Sequence, residues 1–214
     1  MRALSPLDRL LAEIDQSLRT VHAEPPTTER PNPAKGQTEL QPLSDAERQL
    51  AAGLMRVNHA GEISAQGLYR GQALTARLPE VRAQMERAAA EENDHLAWCE
   101  QRLQTLNSRK SWLNPLWYWG SFTIGALAGK AGDRWSLGFV KETEDQVEKH
   151  LNEHLQRLPT KDIPSRLILE QMREDEQHHG HIAQQAGAAK LPLPIRKVLM
   201  PLMSKVMTSA SFRL

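Results

Sequence analysis

The chain has 214 residues, 40% of them apolar and 25% charged, with 27 basic against 26 acidic side chains. That composition suits one ordinary domain with a real core, and a net charge of +1 sets up no field to draw in nucleic acid. The lone Cys99 excludes an internal disulfide, and no GxGxxG, GxxxxGK(S/T), CxxC or GxSxG motif supports a nucleotide cofactor.

Residues 1–22 read as an amphipathic helix. Leu4, Leu7, Leu11, Ile14, Leu18 and Val21 recur at three- and four-residue spacing, behind a Ser5/Asp8 capping box. The acids in MRALSPLDRLLAEIDQ speak against both a secretory signal and a mitochondrial presequence. AEPPTTERPNPAKGQTELQP follows, with five prolines in twenty residues, and reads as a linker without a core of its own. Ser44 with Glu47 opens a helix that runs to about Leu78, and Pro79 starts another that reaches about Leu106. A third long helix is expected over about Trp135–Leu158, and a fourth over about Ser165–Ala189. No segment has strand periodicity. The class is therefore all-α: a four-helix bundle over residues 44–190, with an apolar 2–3 crossover at 107–134. An N-terminal helix and linker (1–43) precede it and a tail (191–214) follows.

Charged residues interrupt the apolar seams of these helices. The second bundle helix reads Val81, Met85, Ala88, then Glu92 and His95, then Cys99, Leu103 and Leu106. The fourth reads Leu169, Met172, then Glu176 and His179, then Ala183 and Ala186. In the third, only Glu144 among several acids lies on the line of Leu137, Val140, Val147 and Leu151. Glu62 sits on the flank of the first helix's line (Leu50, Leu54, Val57, Gly61, Leu68), and periodicity alone does not select it. The repeat does: Glu62 precedes Glu92 by 30 residues, and Glu144 precedes Glu176 by 32. Each half is a lone Glu followed by Glu-x-x-His, the ligand pattern of di-metal carboxylate bundles.

One Glu-x-x-His is ordinarily a solvated face; two copies in apolar seams are hard to produce by accident. Four buried carboxylates would cost several kcal/mol each unless neutralised, and no lysine or arginine lies on the seams beside them. Two divalent cations would do so, with Glu92 and Glu176 as natural bridges because each shares a helix face with a histidine. Oxygen-rich shells with one imidazole per ion suit iron or manganese better than zinc, and open positions on iron suit O₂ activation. A rival motif is HLNEH at 150–154, an inverted zinc-protease signature with His150, Glu153 and His154. It leaves both Glu-x-x-His pairs unexplained. His150 and His59 are read instead either as groups that steady the ligands or handle protons near the metals, or as ordinary partly buried histidines.

SWLNPLWYWGSFTIGALAG (111–129) carries no charge and would span about 28 Å as a straight helix. Asn114, Pro115 and three glycines interrupt it, and Trp112, Trp117, Tyr118 and Trp119 cluster at one end. This suits a segment dipping into one leaflet. The alternative is burial across the end of the bundle. The tail places Ile195, Val198, Leu199, Leu202 and Val206 beside Arg196, Lys197 and Lys205, a basic amphipathic pattern.

RVNHAGEISAQGLYRGQ (56–72), EENDHLAW (91–98), ETEDQVEKH (142–150) and REDEQHHG (173–180) together resemble the demethoxyubiquinone hydroxylases of ubiquinone biosynthesis, over roughly residues 44–190. The resemblance implies a ferritin-like di-iron monooxygenase acting on demethoxyubiquinol, 2-polyprenyl-3-methyl-6-methoxy-1,4-benzoquinol. It carries two iron ions per chain onto Glu62, Glu92, His95, Glu144, Glu176 and His179, and puts His150 near the site. Asp175/His178 is an alternative register that the seam disfavours. The implied partners are O₂, the polyprenylated quinol and a membrane surface, met peripherally on the cytoplasmic side of a bacterial membrane. A homo-oligomer or a complex of ubiquinone-biosynthesis proteins is also expected, and no nucleic acid. Two electrons come from the quinol or an external donor. The alternative function is ferritin-like iron storage, against which the apolar insert argues.

Overall fold

The computed structural model describes residues 5–26 and 30–214. Seven α-helices appear among them and no strand: α1 (Pro6–His22), α2 (Asp45–Thr75), α3 (Pro79–Thr105), α4 (Asn114–Ala131), α5 (Asp133–Arg157), α6 (Ile163–Gln185) and α7 (Met200–Arg213). Leu4 lies outside the described residues. Both capping boxes form, Ser5 with Asp8 on α1 and Ser44 with Glu47 on α2. Pro79 starts α3 in the first turn, where its missing N–H is no loss. The bundle is α2, α3, α5 and α6, joined by short α2–α3 and α5–α6 connections, with α4 as the crossover. One end of the core packs Leu54, Met55, Trp98, Leu103, Leu151, Leu169 and Met172, and the other packs Tyr69, Met85, Leu137, Val140 and Ala183.

The crossover is a regular helix rather than a broken segment. Pro115 falls in its first turn, and its glycines let it lie on α2 almost backbone to backbone. A Cβ at Gly67 would run into the carbonyl oxygen of Tyr118, and one at Gly71 into that of Phe122. One face of α4 is thus buried in protein, while Trp112 just before it, Leu116, Trp119 and Leu127 face outward. No helix among the described residues is long and apolar enough to cross a membrane.

The N-terminal segments dock on the bundle. Helix α1 buries Ser17 and Val21 and pairs Glu13 with Arg70 at 2.9 Å, leaving Leu7, Leu11 and Leu18 exposed. Residues 30–43 have no regular structure but run as a strap along α3 and α6. Arg30 meets Asp94 and Asp175, Asn32 meets Gln101, Glu39 meets Arg102, and the Leu40 N–H reaches the Lys161 carbonyl. In the tail, a π-helical turn (Ile195–Leu199) leads into α7, and the Trp112 N–H donates to the Leu214 carbonyl at 3.1 Å.

Candidate metal centre

All six residues singled out by spacing converge at the centre of the bundle. Glu62, Glu92, His95 and Glu176 offer ligand atoms within 4.8 Å of one another, as do Glu144, Glu176 and His179. Each is at most 6% exposed. Helix α2 supplies Glu62, α3 supplies Glu92 and His95, α5 supplies Glu144, and α6 supplies Glu176 and His179. Glu92 reaches Nδ1 of His95 at 2.8 Å and of His179 at 3.4 Å, and Glu176 lies 3.5 Å from both. These two carboxylates therefore stand between the imidazoles. Glu62 is more distant, 3.7 Å from His95 Nδ1. Tyr69 donates its hydroxyl proton to Glu144.

Six such groups in one dry volume cannot all hold their ordinary charge states. Burial, with Glu92 close by, pushes Glu62 well above the usual carboxylate range; burial and the neighbouring Glu176 do the same to Glu144. Burial opposes charge on Glu92 too, but His95 and His179 outweigh it and hold this carboxyl well below its usual value. His95 is raised against burial by Glu92, Asp175, Glu176 and Glu62, and His179 by Glu176, Glu91 and Glu92. Protons on Glu62, Glu144, His95 and His179 thus balance the charge of Glu92 and Glu176, and two divalent cations would take the place of those protons. Glu92 Oε1, Glu176 Oε2 and His179 Nδ1 are buried and lack any hydrogen-bond partner. Inward-facing oxygens and ring nitrogens left unsatisfied in this way fit a pair of metal ions.

The outer contacts of the two histidines are reciprocal. His95 Nε2 donates to Asp175 Oδ2 at 2.8 Å, and His179 Nε2 donates to Glu91 Oε2 at 2.6 Å. Each imidazole thereby turns Nδ1 to the centre, the tautomer a metal requires. Each partner is the residue just before the other helix's Glu-x-x-His. Glu91 lies off the apolar seam of its helix, and Asp175 is weighed only as part of an alternative ligand register. The repeat held the signal: an acid precedes Glu92 and Glu176 alike. His178, the other half of that register, faces solvent. Asp94 also lies off that seam and is nonetheless buried, with Arg30 reaching it at 2.9 Å.

The remaining histidines are not gathered into the cluster. His150 Nε2 pairs with Ser204 of α7 at 2.7 Å, and His154 Nδ1 donates to Asn58 of α2 at 2.7 Å. The HLNEH histidines thus make separate hydrogen bonds. His59 is buried beside Asn114 at 3.4 Å, where burial and Lys110 lower its pKa to about 3.

Two openings reach the centre. A cavity of about 260 Å³ is lined by Tyr69, Met85, Ala88, Val140 and Ile182 together with Gln84, Arg87, Glu91, His178 and His179, its exposed lining mostly apolar. A more polar one of about 190 Å³ lies between α5 and α6, with Lys141, Asp145, Glu148 and His181 around Glu176.

The family model described as ubiquinone biosynthesis protein COQ7 matches residues 49–211. Among similar proteins is the 3-demethoxyubiquinol 3-hydroxylase of Nitrosococcus oceani, 58% identical over 211 residues, 99% of this chain and 98% of the relative. The protein of that name from Chromohalobacter salexigens is 56% identical over 213 residues, 100% and 99% of the two chains. That from Polynucleobacter asymbioticus is 54% identical over 211 residues, 99% and 100%.

Proposed function

This chain belongs to the COQ7 family of ubiquinone biosynthesis proteins, and from that premise we propose that it hydroxylates the ring of a demethoxyubiquinol with O₂, as the names of its relatives describe. The observation that carries the reading is the convergence of four buried glutamates and two histidines with inward atoms left unpartnered. Two iron ions would be held by Glu62, Glu92, His95, Glu144, Glu176 and His179, with Glu92 and Glu176 bridging. When bound, iron supplies the activation of O₂ that an organic side chain cannot. Iron storage finds no support among the relatives, which are named as hydroxylases.

The protein's own groups do the rest. Asp175 and Glu91 fix both ring tautomers. Tyr69 holds a proton on the Glu144 carboxylate. Met85, Ala88, Val140 and Ile182 give the cavity beside His179 an apolar wall that would take a quinol ring and keep bulk water away. Membrane contact belongs to the same reading: the outward Trp112, Leu116, Trp119 and Leu127 would sit in one leaflet, next to the basic tail. That is a peripheral attachment to the cytoplasmic face of a bacterial membrane. The exposed leucines of α1 would serve a contact with a second copy or another ubiquinone-biosynthesis protein.

The test is metal analysis followed by turnover. The wild type, reloaded anaerobically with Fe(II), should hold two irons per chain and yield product one oxygen atom heavier. Glu176→Ala should lose most of the iron and at least 100-fold in turnover. Leu116→Ser/Trp119→Ser should lower activity on quinol presented in vesicles and spare it on a short-chain quinol in detergent. Unchanged iron in Glu176→Ala would discard the site, and equal vesicle activity would discard the membrane face.

A further inference from the structure

We infer that Arg30, carried on the N-terminal strap, is a positioning residue for His95; the inference rests on the metal reading above. Arg30 comes from the proline-rich stretch, 64 residues before Asp94 and 145 before Asp175. Its Nε donates to Asp94 Oδ2 at 2.9 Å, and its Nη1 to both oxygens of Asp175, each at 2.9 Å. Asp175 in turn receives the proton of His95 Nε2. The same guanidinium lies 5.2 Å over the ring of Trp98, and that ring is 5.4 Å from the imidazole of His95. Arg30 therefore bears on His95 from two sides, through a carboxylate and through an indole.

The geometry matters because a ligating imidazole is only as well aimed as its outer partner. A carboxylate alone can swing about its side-chain bonds. A planar guanidinium holding two carboxylates from two helices takes that freedom away. Asp94 and Asp175 lie on α3 and α6, so the same fork also fixes the distance between the helices that carry both Glu-x-x-His pairs. The other histidine is served differently. Glu91, the partner of His179, is paired with Arg87 at 2.7 Å, one turn away on the same helix, and Arg87 is 58% exposed. That contact lies within α3. On the His95 side the contacts that steady the ligand reach far back in the chain, to Arg30.

The experiment uses the full chain, stripped of metal and titrated anaerobically with Co(II), whose visible bands report each binding step, and in parallel with Fe(II). Wild type, Arg30→Gln, Arg30→Lys and Asn32→Ala are compared, with circular dichroism and melting recorded for each. Arg30→Gln should weaken one of the two steps about tenfold, leave the other alone, and shift the Co(II) bands of the weakened step. Arg30→Lys should recover part of the loss, since one ammonium reaches one carboxylate and cannot fork two. Asn32→Ala loosens the strap without touching Asp175 and should match wild type. Wild-type binding at both steps in Arg30→Gln overturns the inference, as does an equal loss at both steps shared with Asn32→Ala. Should Arg30→Gln not fold, Arg30→Lys decides: a severalfold loss at one step alone supports the inference, and any other result overturns it. If the wild type itself takes up no pair of ions, the metal reading fails. If it takes up two and the Arg30 variants bind identically, only the role of Arg30 falls.

Discussion

The seam between α2 and α4 and the seam between α3 and α6 are closed by opposite means. At the first, glycines bring two backbones into contact and leave no room for a side chain. At the second, the backbones stand farther apart, and besides apolar side chains such as Cys99 and Met172, charge spans the gap: Arg30 joins Asp94 to Asp175, and Arg102 joins Asp162, Ser165 and Glu39. The lesson is a division of labour. Close packing gives α2 a rigid support for Glu62 and Tyr69. The ionic seam leaves room between α3 and α6 for ligands, and its carboxylates double as partners of the metal-facing histidines.

Substitutions at the two seams would break or sharpen this contrast. The largest effect is expected at the ionic seam. Arg102 is buried, with Ser165 and Asp162 at 2.8 Å and Glu39 at 2.9 Å. Arg102→Met would strand the fully buried Asp162 and should cost about 3–5 kcal/mol in urea unfolding, with Arg102→Met/Asp162→Asn recovering part. A cost under about 1 kcal/mol would mean that this seam is held by something other than charge. Next comes Gly71→Ala, expected to cost about 2 kcal/mol because the Phe122 carbonyl cannot step aside. The sign is the test. Alanine in an open helix position gains about 0.5–1 kcal/mol over glycine, as Gly120→Ala should, with nothing within 4 Å of its added Cβ. A stabilised Gly71→Ala would undo the account of the seam.

A comparable effect, seen only as a pH dependence, is expected where α5 meets α2. Burial, aided by the nearby His150 and Arg157, lowers the pKa of His154 to about 4, against about 6.5 in an unfolded chain. Between these values the unfolded chain binds more protons. The contribution is therefore whole above pH ~6.5 and is lost as the pH falls toward 4, about 2 kcal/mol of it by pH 5. Unfolding of wild type and His154→Gln at pH 7.5 and pH 5 measures it: the wild type should lose about 2 kcal/mol more than the variant. An equal loss in both would mean that this imidazole takes up its proton freely.

Much of this was legible in the sequence, for local reasons. Interrupted seams select Glu92, His95, Glu144, Glu176 and His179, because periodicity reports which way a side chain points. Glu62 needed the repeat as well, since it lies beside its seam. The crossover read as broken because Pro115 and the glycines are helix breakers in isolation; only the partner helix reveals that the proline starts α4 and that Gly125 and Gly129 belong to its contact face. Arg30 was illegible, because its meaning lies in partners 64 and 145 residues away and no periodicity encodes that distance. His150 was read toward the metals from its place in the helix, and its hydrogen bond goes instead to Ser204 in the tail, a segment whose course no local pattern fixes.

The exchange of outer partners between the two helical hairpins has a consequence for how the protein assembles. Asp175 of the second hairpin steadies the imidazole of the first, and Glu91 of the first steadies that of the second. Neither hairpin is a finished half. Cut at Gly132, each fragment would keep a lone Glu and a Glu-x-x-His but lose the outer carboxylate that aims its imidazole, so the finished centre arrives only with the closing of the whole bundle.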